Sequence, residues 1–377
     1  MTQDMHASDR PDVPSGRGPD RRTVLRGAAL GAASPLIPAA AATAATASAT
    51  AGRDRGGDRA ARSVSFRWLG TAGWRIDVGG RTVLFDPYLT RFPTGLFDGG
   101  LDPKTELKTD PTVVDAHIGR PELVLVSHSH WDHLGDVPYI AKTTGARVIG
   151  TETTYHLLTA LGVAPEQISV VKGGEVLDIG TITVEVVPSL HSRNKNCAYF
   201  APGTLNAPPK AVPSTIADLP EGDTLAFRIT AGEHGPSAFL MGASDFAERA
   251  VQGLRPDLAM IAVPTAATTT HRYVPRLLSA LDTPGVVVPV HWDNFELPLS
   301  GSPVRDPAMD LDAFLAQVAK ESPATRIVVP DYRTVYDGEM RPASRWTRPA
   351  EPVRSRWPGR GRSRTAHGPA GGGPADR

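Results

Sequence analysis

The chain has 377 residues, enough for one large domain or two ordinary ones around a packed core. Its 40 basic side chains balance 40 acidic ones, so no global charge points to a nucleic-acid or membrane-surface partner. Cys197 is the single cysteine, which excludes an intrachain disulfide and a cysteine-cluster metal site. Any metal must therefore be held by His, Asp or Glu.

The chain opens on residues 1–63, rich in Ala, Gly and Arg and almost without aromatics. Within them, Asp20-Arg21-Arg22-Thr23-Val24-Leu25-Arg26 precedes a mildly apolar stretch over 27–42, followed by Ala47-Ser48-Ala49. Twin arginines, a weak apolar region and a small-residue cleavage site resemble a twin-arginine export signal. Asp20 and Val24 depart from the usual residues at their places. Pro35 and Pro38 interrupt the apolar stretch, which is too polar to span a membrane. These features predict a signal peptide over 1–49, a disordered linker over 50–63, the export machinery as a partner of the precursor, and a secreted or envelope location. No stable membrane anchor is expected.

From residue 64 the pattern changes to short β runs and then β alternating with α. Residues 65–69, 73–78 and 82–86 alternate apolar and polar, with Gly79-Gly80 as a hairpin turn between the last two. Leu123-Val124-Leu125-Val126 is continuously apolar, as a strand buried on both faces requires. Helices are predicted over 138–144 and 153–161 with a strand at 147–149 between them. Strands follow at 181–187, 224–229 and 238–241, then a helix over 246–254. Strands at 258–263 and 285–290 flank a helix over 273–281, and a helix over 311–320 precedes a last strand at 326–329. Such an order suggests two packed sheets with helices outside, over a domain of 64–340. Residues 341–377 are mostly Arg, Pro, Gly, Ser and Ala and predict a disordered tail.

The run Ser127-His128-Ser129-His130-Trp131-Asp132-His133 carries the strongest chemical signal. In extended backbone His128 and His130 project to one side, because the side-chain period is two. A turn or helix starting near Trp131 would swing Asp132 and His133 back to the same point. Imidazole and carboxylate ligands suit Zn2+, Mn2+ or Fe2+.

This run resembles the H-x-H-x-D-H signature of the metallo-β-lactamase superfamily. The resemblance implies an α/β fold, an αββα sandwich of two mixed sheets, with two divalent ions at one edge: zinc foremost, Mn2+ or Fe2+ as alternatives. It also implies His191, Asp245 and His291 as further ligands, each behind a strand. His128, His130 and His191 would hold one ion, Asp132, His133 and His291 the other, and Asp245 would bridge them. The family writes Gly-Asp directly at the bridge, whereas Gly242-Ala243-Ser244-Asp245 inserts two residues, leaving Ser244 as the alternative occupant. Asp86, in Phe85-Asp86-Pro87, resembles the early Asp that orients a ligand histidine.

The expected activity is hydrolysis of an ester, lactone, amide or phosphodiester in a small-molecule or lipid-like substrate by metal-activated water, with Asp132 or Asp245 moving the proton. His271, in a loop after a strand, is a candidate proton donor or anion contact, with a plain surface histidine as the alternative. Asn194 and Lys195 are candidate substrate contacts, Trp74, Tyr88, Trp131 and Trp292 candidate pocket walls, and Cys197 a candidate small core residue. His117, His156 and His234 read as surface residues. Gly70-Thr71-Ala72-Gly73, Leu84-Phe85-Asp86-Pro87-Tyr88 and Pro289-Val290-His291-Trp292-Asp293 resemble lactonase-like proteins and phospholipase-D-type enzymes that cleave N-acyl-phosphatidylethanolamines. A mononuclear-iron dioxygenase of the same fold and a non-catalytic binding protein are the rival readings. True β-lactamase and diiron oxygen-reducing activity are disfavoured, the latter because His130 stands where those relatives place Glu.

Overall fold

A computed structural model of the chain describes residues 64–347 except His234. The expected signal peptide, the linker, His234 and the tail from 348 onward lie outside the described residues.

Three antiparallel strands open the domain: β1 (Val64–Gly70), β2 (Gly73–Val78) and β3 (Arg81–Phe85). Gly79 and Gly80 make the β2–β3 turn at φ 56° and 86°, a backbone that glycine adopts without steric cost. Helix α1 (Pro111–Ile118) follows, its N-terminus capped by Asp110, whose carboxylate accepts from the amides of Thr112 and Val113. Next come β4 (Pro121–Leu125), the single-turn helix α2 (Trp131–Leu134), α3 (Val137–Thr144), β5 (Arg147–Gly150), α4 (Glu152–Ala160) and β6 (Ile168–Val170).

The second half starts with β7 (Val176–Ile179), β8 (Ile182–Leu190), β9 (Leu225–Ala231), β10 (Ser237–Met241) and the two-residue β11 (Asp245–Phe246). It continues through α5 (Glu248–Val251), β12 (Leu258–Ala262), α6 (Tyr273–Ala280), β13 (Val286–Val290), α7 (Leu311–Glu321) and β14 (Arg326–Ile327). The chain then returns to the first sheet with β15 (Thr334–Asp337) and β16 (Pro342–Arg345).

The strands form two mixed sheets. One runs β16-β15-β1-β2-β3-β4-β5-β6; the other runs β11-β8-β9-β10-β12-β13-β14, with β7 paired to β8. In the first, pairing turns parallel from β3 onward; in the second, from β10 onward. The inner faces fuse into one apolar core in which Trp68, Trp74, Phe85, Phe227 and Phe239 are almost completely buried. With its helices this is the αββα sandwich. No helix among the described residues is long and apolar enough to cross a membrane.

Three expectations need correction. The helix expected over 246–254 is only one turn, because Phe246 pairs with Ser189 in β11 before the turn begins. Helix α1 was not anticipated, although Asp110-Pro111 ahead of Val113, Val114 and Ile118 is a cap followed by an apolar face. The domain also does not end at 340. Residues 342–345 pair with β15, and Trp346 lies over the Arg67 guanidinium at 4.0 Å and stacks on His117 at 4.4 Å. His117 is accordingly buried, and Arg67 also contacts its ring. A composition dominated by Arg and Pro concealed this one aromatic anchor.

Candidate metal centre

Parallel strands deliver their C-terminal ends to one rim of the sandwich, where ligands of α/β sheets collect. Beyond β4 the chain runs through His128 to His130, whose backbone is extended (φ −62°, ψ 157°) and from which α2 starts. The His133 and Leu134 amides both donate to the His130 carbonyl, at 3.0 and 2.8 Å. This single turn swings Asp132 and His133 back beside the first two histidines. Ser127 and Ser129 fix the loop to the rest of the sandwich: the Ser127 carbonyl accepts from Leu225 N at 2.7 Å, and Ser129 N donates to the Glu221 carbonyl at 2.9 Å.

Two groups of side chains result. In each, one ligand atom per residue lies within 4.8 Å of the others: His128, His130 and His191 in the first, Asp132, His133 and His291 in the second. The groups adjoin, with the His128 and His133 rings 3.9 Å apart between centroids. His191 follows β8; its Nδ1 lies 2.9 Å from the Ser192 carbonyl and its ring stacks on Tyr199 at 4.7 Å. His291 follows β13 at φ 59°, its amide donating 2.7 Å to the Thr71 carbonyl, and its Nε2 lies 3.2 Å from Asp132 Oδ2.

Burial dominates the electrostatics. It pushes His128 well below the usual histidine range, with His133 and His130 adding repulsion. It lowers His130 to about 4 and His191 to about 3, so all three rings are neutral at pH 7 with lone pairs to offer. Burial also opposes charge on His133, but Asp132 and Asp86 outweigh it and raise this ring to about 10, so an ion held by its Nε2 would have to displace a proton. Asp132 is ionised against the same burial because His133 and His291 flank it. His128 Nε2 and His130 Nε2 are buried and have no hydrogen-bond partner among the described residues. Buried polar nitrogens are rarely left without a partner, and a divalent cation is the partner this donor set fits.

Asp86 reaches a histidine of the second group. It is fully buried, accepting from Ser127 N at 2.7 Å through Oδ1 and from His133 Nδ1 at 2.8 Å through Oδ2. This leaves His133 Nε2 facing the site. Gly242 closes over the same carboxylate: a Cβ there would stand 2.6 Å from Asp86 Oδ2 and 3.1 Å from His133 Cε1.

Asp245 and His271 are not brought in. The segment after β10 passes the site with Gly242, Ala243 and Ser244, all of which line the cavity. Asp245 comes one residue too late. It pairs with Leu190 in β11, its carboxylate accepts from Phe246 N at 2.8 Å, and its charged neighbours are Arg276 and Arg193. It lies outside both ligand groups and outside the cavity lining. Of the two occupants considered for the bridge, only Ser244 faces the cavity. His271 is exposed on the approach to α6, with its carbonyl accepting from Arg276, and it too is absent from the lining.

The cavity holds about 360 Å³. Asn194 and Trp131 line it; Lys195, Trp74, Tyr88 and Trp292 do not, the three aromatics being buried in the core. Cys197, expected in the core, is exposed in a turn. Sequence reasoning did not find Phe97, Tyr199, Phe200, Phe295, Asp306 or Met309, which also line the cavity. They sit on loops without periodicity, and only the aromatics carried any prior signal. A larger hollow of about 530 Å³ elsewhere, beside Asp257, Asp282 and Arg326, has no histidine among its described lining residues.

The family described as the beta-lactamase superfamily domain matches residues 65–291. A metal-dependent hydrolase of Polynucleobacter asymbioticus is 29% identical over 233 residues, 60% of this chain and 73% of that protein. One of Methylocella silvestris is 29% identical over 257 residues, 66% of this chain and 90% of that protein. Among solved structures, Igni18, a metallo hydrolase from Ignicoccus hospitalis, is similar with a TM-score of 0.49 at 20% identity, covering 72% of this chain and 98% of that one. With well over half its length matched, and with the H-x-H-x-D-H run leading two ligand groups at one rim, the chain belongs to the metallo-β-lactamase superfamily.

Proposed function

We propose that this chain, a metal-dependent hydrolase of the metallo-β-lactamase superfamily, works with two divalent ions, zinc foremost, and cleaves an ester, lactone, amide or phosphodiester bond. The observation that carries the proposal is the pair of three-ligand groups on one cavity, with two buried imidazole nitrogens that lack any other partner. His128, His130 and His191 would hold one ion; Asp132, His133 and His291 would hold the other. Bound there, divalent ions polarise a substrate oxygen and make water nucleophilic near neutral pH. The protein supplies the geometry. Asp86 holds His133 by Nδ1, the Ser192 carbonyl occupies Nδ1 of His191, and the Thr71 carbonyl pins the His291 backbone. Asp132 is the carboxylate of the set and the group assigned to move the proton; Asp245 and His271 are not retained in this role. Metal analysis combined with the variants His128→Ala and Asp132→Ala tests the reading. Each variant should lose bound metal and at least a hundredfold in turnover. Full activity in either one ends the assignment.

We propose, on the Asp20-Arg21-Arg22-Thr23 motif, that the protein is exported folded by the twin-arginine route. Replacing Arg21 and Arg22 by Lys should retain the product in the cytoplasm; undiminished export of that variant would exclude this route.

A further inference from the structure

Four aromatic side chains make one continuous wall along the cavity, and it spans both ligand groups. Phe200 lies 5.7 Å from the His130 ring and 5.2 Å edge-on to Trp131; Trp131 is 6.5 Å from Phe295; Phe295 is 5.0 Å edge-on to Phe97 and 5.3 Å from the His291 ring. Trp131 and Phe295 are buried, and Leu96, 40% exposed, continues the wall outward beside Phe97. Edge-to-face contacts lock the rings into a fixed surface rather than a loose apolar collar.

The cavity is poor in cations. Arg193 is the one Lys or Arg among its described lining residues, and its guanidinium is engaged with the Tyr199 ring at 4.9 Å and the Cys197 carbonyl at 3.3 Å. A substrate rich in phosphate calls for arginine forks free to pair with its oxygens. Beside the ligand groups the lining is largely apolar, with Asn194, Ser244 and Asp306 among its polar residues, in a volume at the low end for small-molecule sites.

On the hydrolytic reading above, we propose that the substrate is a carboxylic acyl compound, such as an ester or lactone, rather than a phosphodiester. Its acyl or aryl group seats on the Phe200-Trp131-Phe295-Phe97 wall, and its carbonyl faces the His/Asp groups. Water's oxygen bonds to the acyl carbon, the acyl carbon–oxygen bond breaks, and the proton given up by water ends on the departing alcohol oxygen. The wall sets specificity through the length of the acyl group.

Two series measured on the zinc-loaded full-length protein test this. The first is p-nitrophenyl acetate, butyrate, hexanoate and octanoate, with bis-p-nitrophenyl phosphate for comparison. The second is binding of the matching alkyl hydroxamates, whose affinity does not depend on turnover. From acetyl to hexanoyl, kcat/KM should rise about three- to fourfold per methylene, and hydroxamate Kd should tighten in parallel. Phe97→Ala and the rim variant Leu96→Ser should flatten both slopes. A flat hydroxamate series in the unaltered protein overturns the proposal. So does ester cleavage with no dependence on chain length, or a phosphodiester cleaved faster than every ester; either leaves the hydrolase reading standing. Graded hydroxamate binding with no cleavage of any compound upholds the acyl seat and sinks the hydrolase reading instead.

Discussion

Asp86 shows how one buried carboxylate can govern a site it does not line. Its two oxygens hold Ser127 N and His133 Nδ1, so it fixes the backbone entering the histidine run and the orientation of the His133 ring, a proposed ligand, together. Orienting partners of this kind are worth roughly 10- to 100-fold in metal affinity. Asp86→Ala should therefore weaken metal binding by about that factor, read by competition with a fluorescent chelator, while circular dichroism stays unchanged. Affinity equal to the unaltered protein would assign Asp86 to folding alone. Asp86 was legible in the sequence because a strand-ending Asp before Pro stands in the place the family gives to such a residue. Asp245 marks the opposite limit. Two inserted residues after Gly242 made its place ambiguous, and only the path of the segment after β10 decided that Ser244 faces the cavity.

At the scale of elements, the His291 turn depends on a cluster beneath it that joins two of the sequence motifs, through Thr71 and Asp293, to Arg91 and Tyr332, which no motif announces. Asp293 accepts from Thr71 N at 2.9 Å, from Arg91 Nη2 at 2.8 Å and from the Tyr332 hydroxyl at 2.6 Å, with the Arg91 and Asp293 side chains fully buried. Thr71 in turn presents the carbonyl that receives the His291 amide. Three segments distant in sequence are thus tied at one carboxylate. Removing one member of a buried ion pair strands the other charge, at a cost of about 3–5 kcal/mol. Asp293→Ala should lose stability on that scale in urea unfolding and loosen the Asp132, His133, His291 group before the other one. A change under about 1 kcal/mol would mean that water replaces the carboxylate easily.

Across the whole molecule, the last described residues close the first sheet. Strand β16 covers β15, and Trp346 shields the buried Arg67, whose guanidinium burial lowers to about 9, with Arg75 adding repulsion. Trp346→Ala would bare Arg67 and the His117 ring. Stacked cation–aromatic contacts are worth about 0.5–2 kcal/mol, so thermal unfolding should move down by a few degrees while metal content holds. An unshifted transition would make β16 incidental to the fold.

Period-two alternation, the Gly79-Gly80 turn and the continuous apolar run at β4 fixed where most strands lie, because those signals are local. The H-x-H-x-D-H run determined its own convergence for the same reason: extended backbone and one helical turn suffice to aim four side chains at a point. The cavity wall, the Asp293 cluster and the exclusion of Asp245 and His271 belong to tertiary structure alone. Each depends on where segments tens to hundreds of residues apart come to lie once two sheets have packed, and no spacing along the chain encodes that.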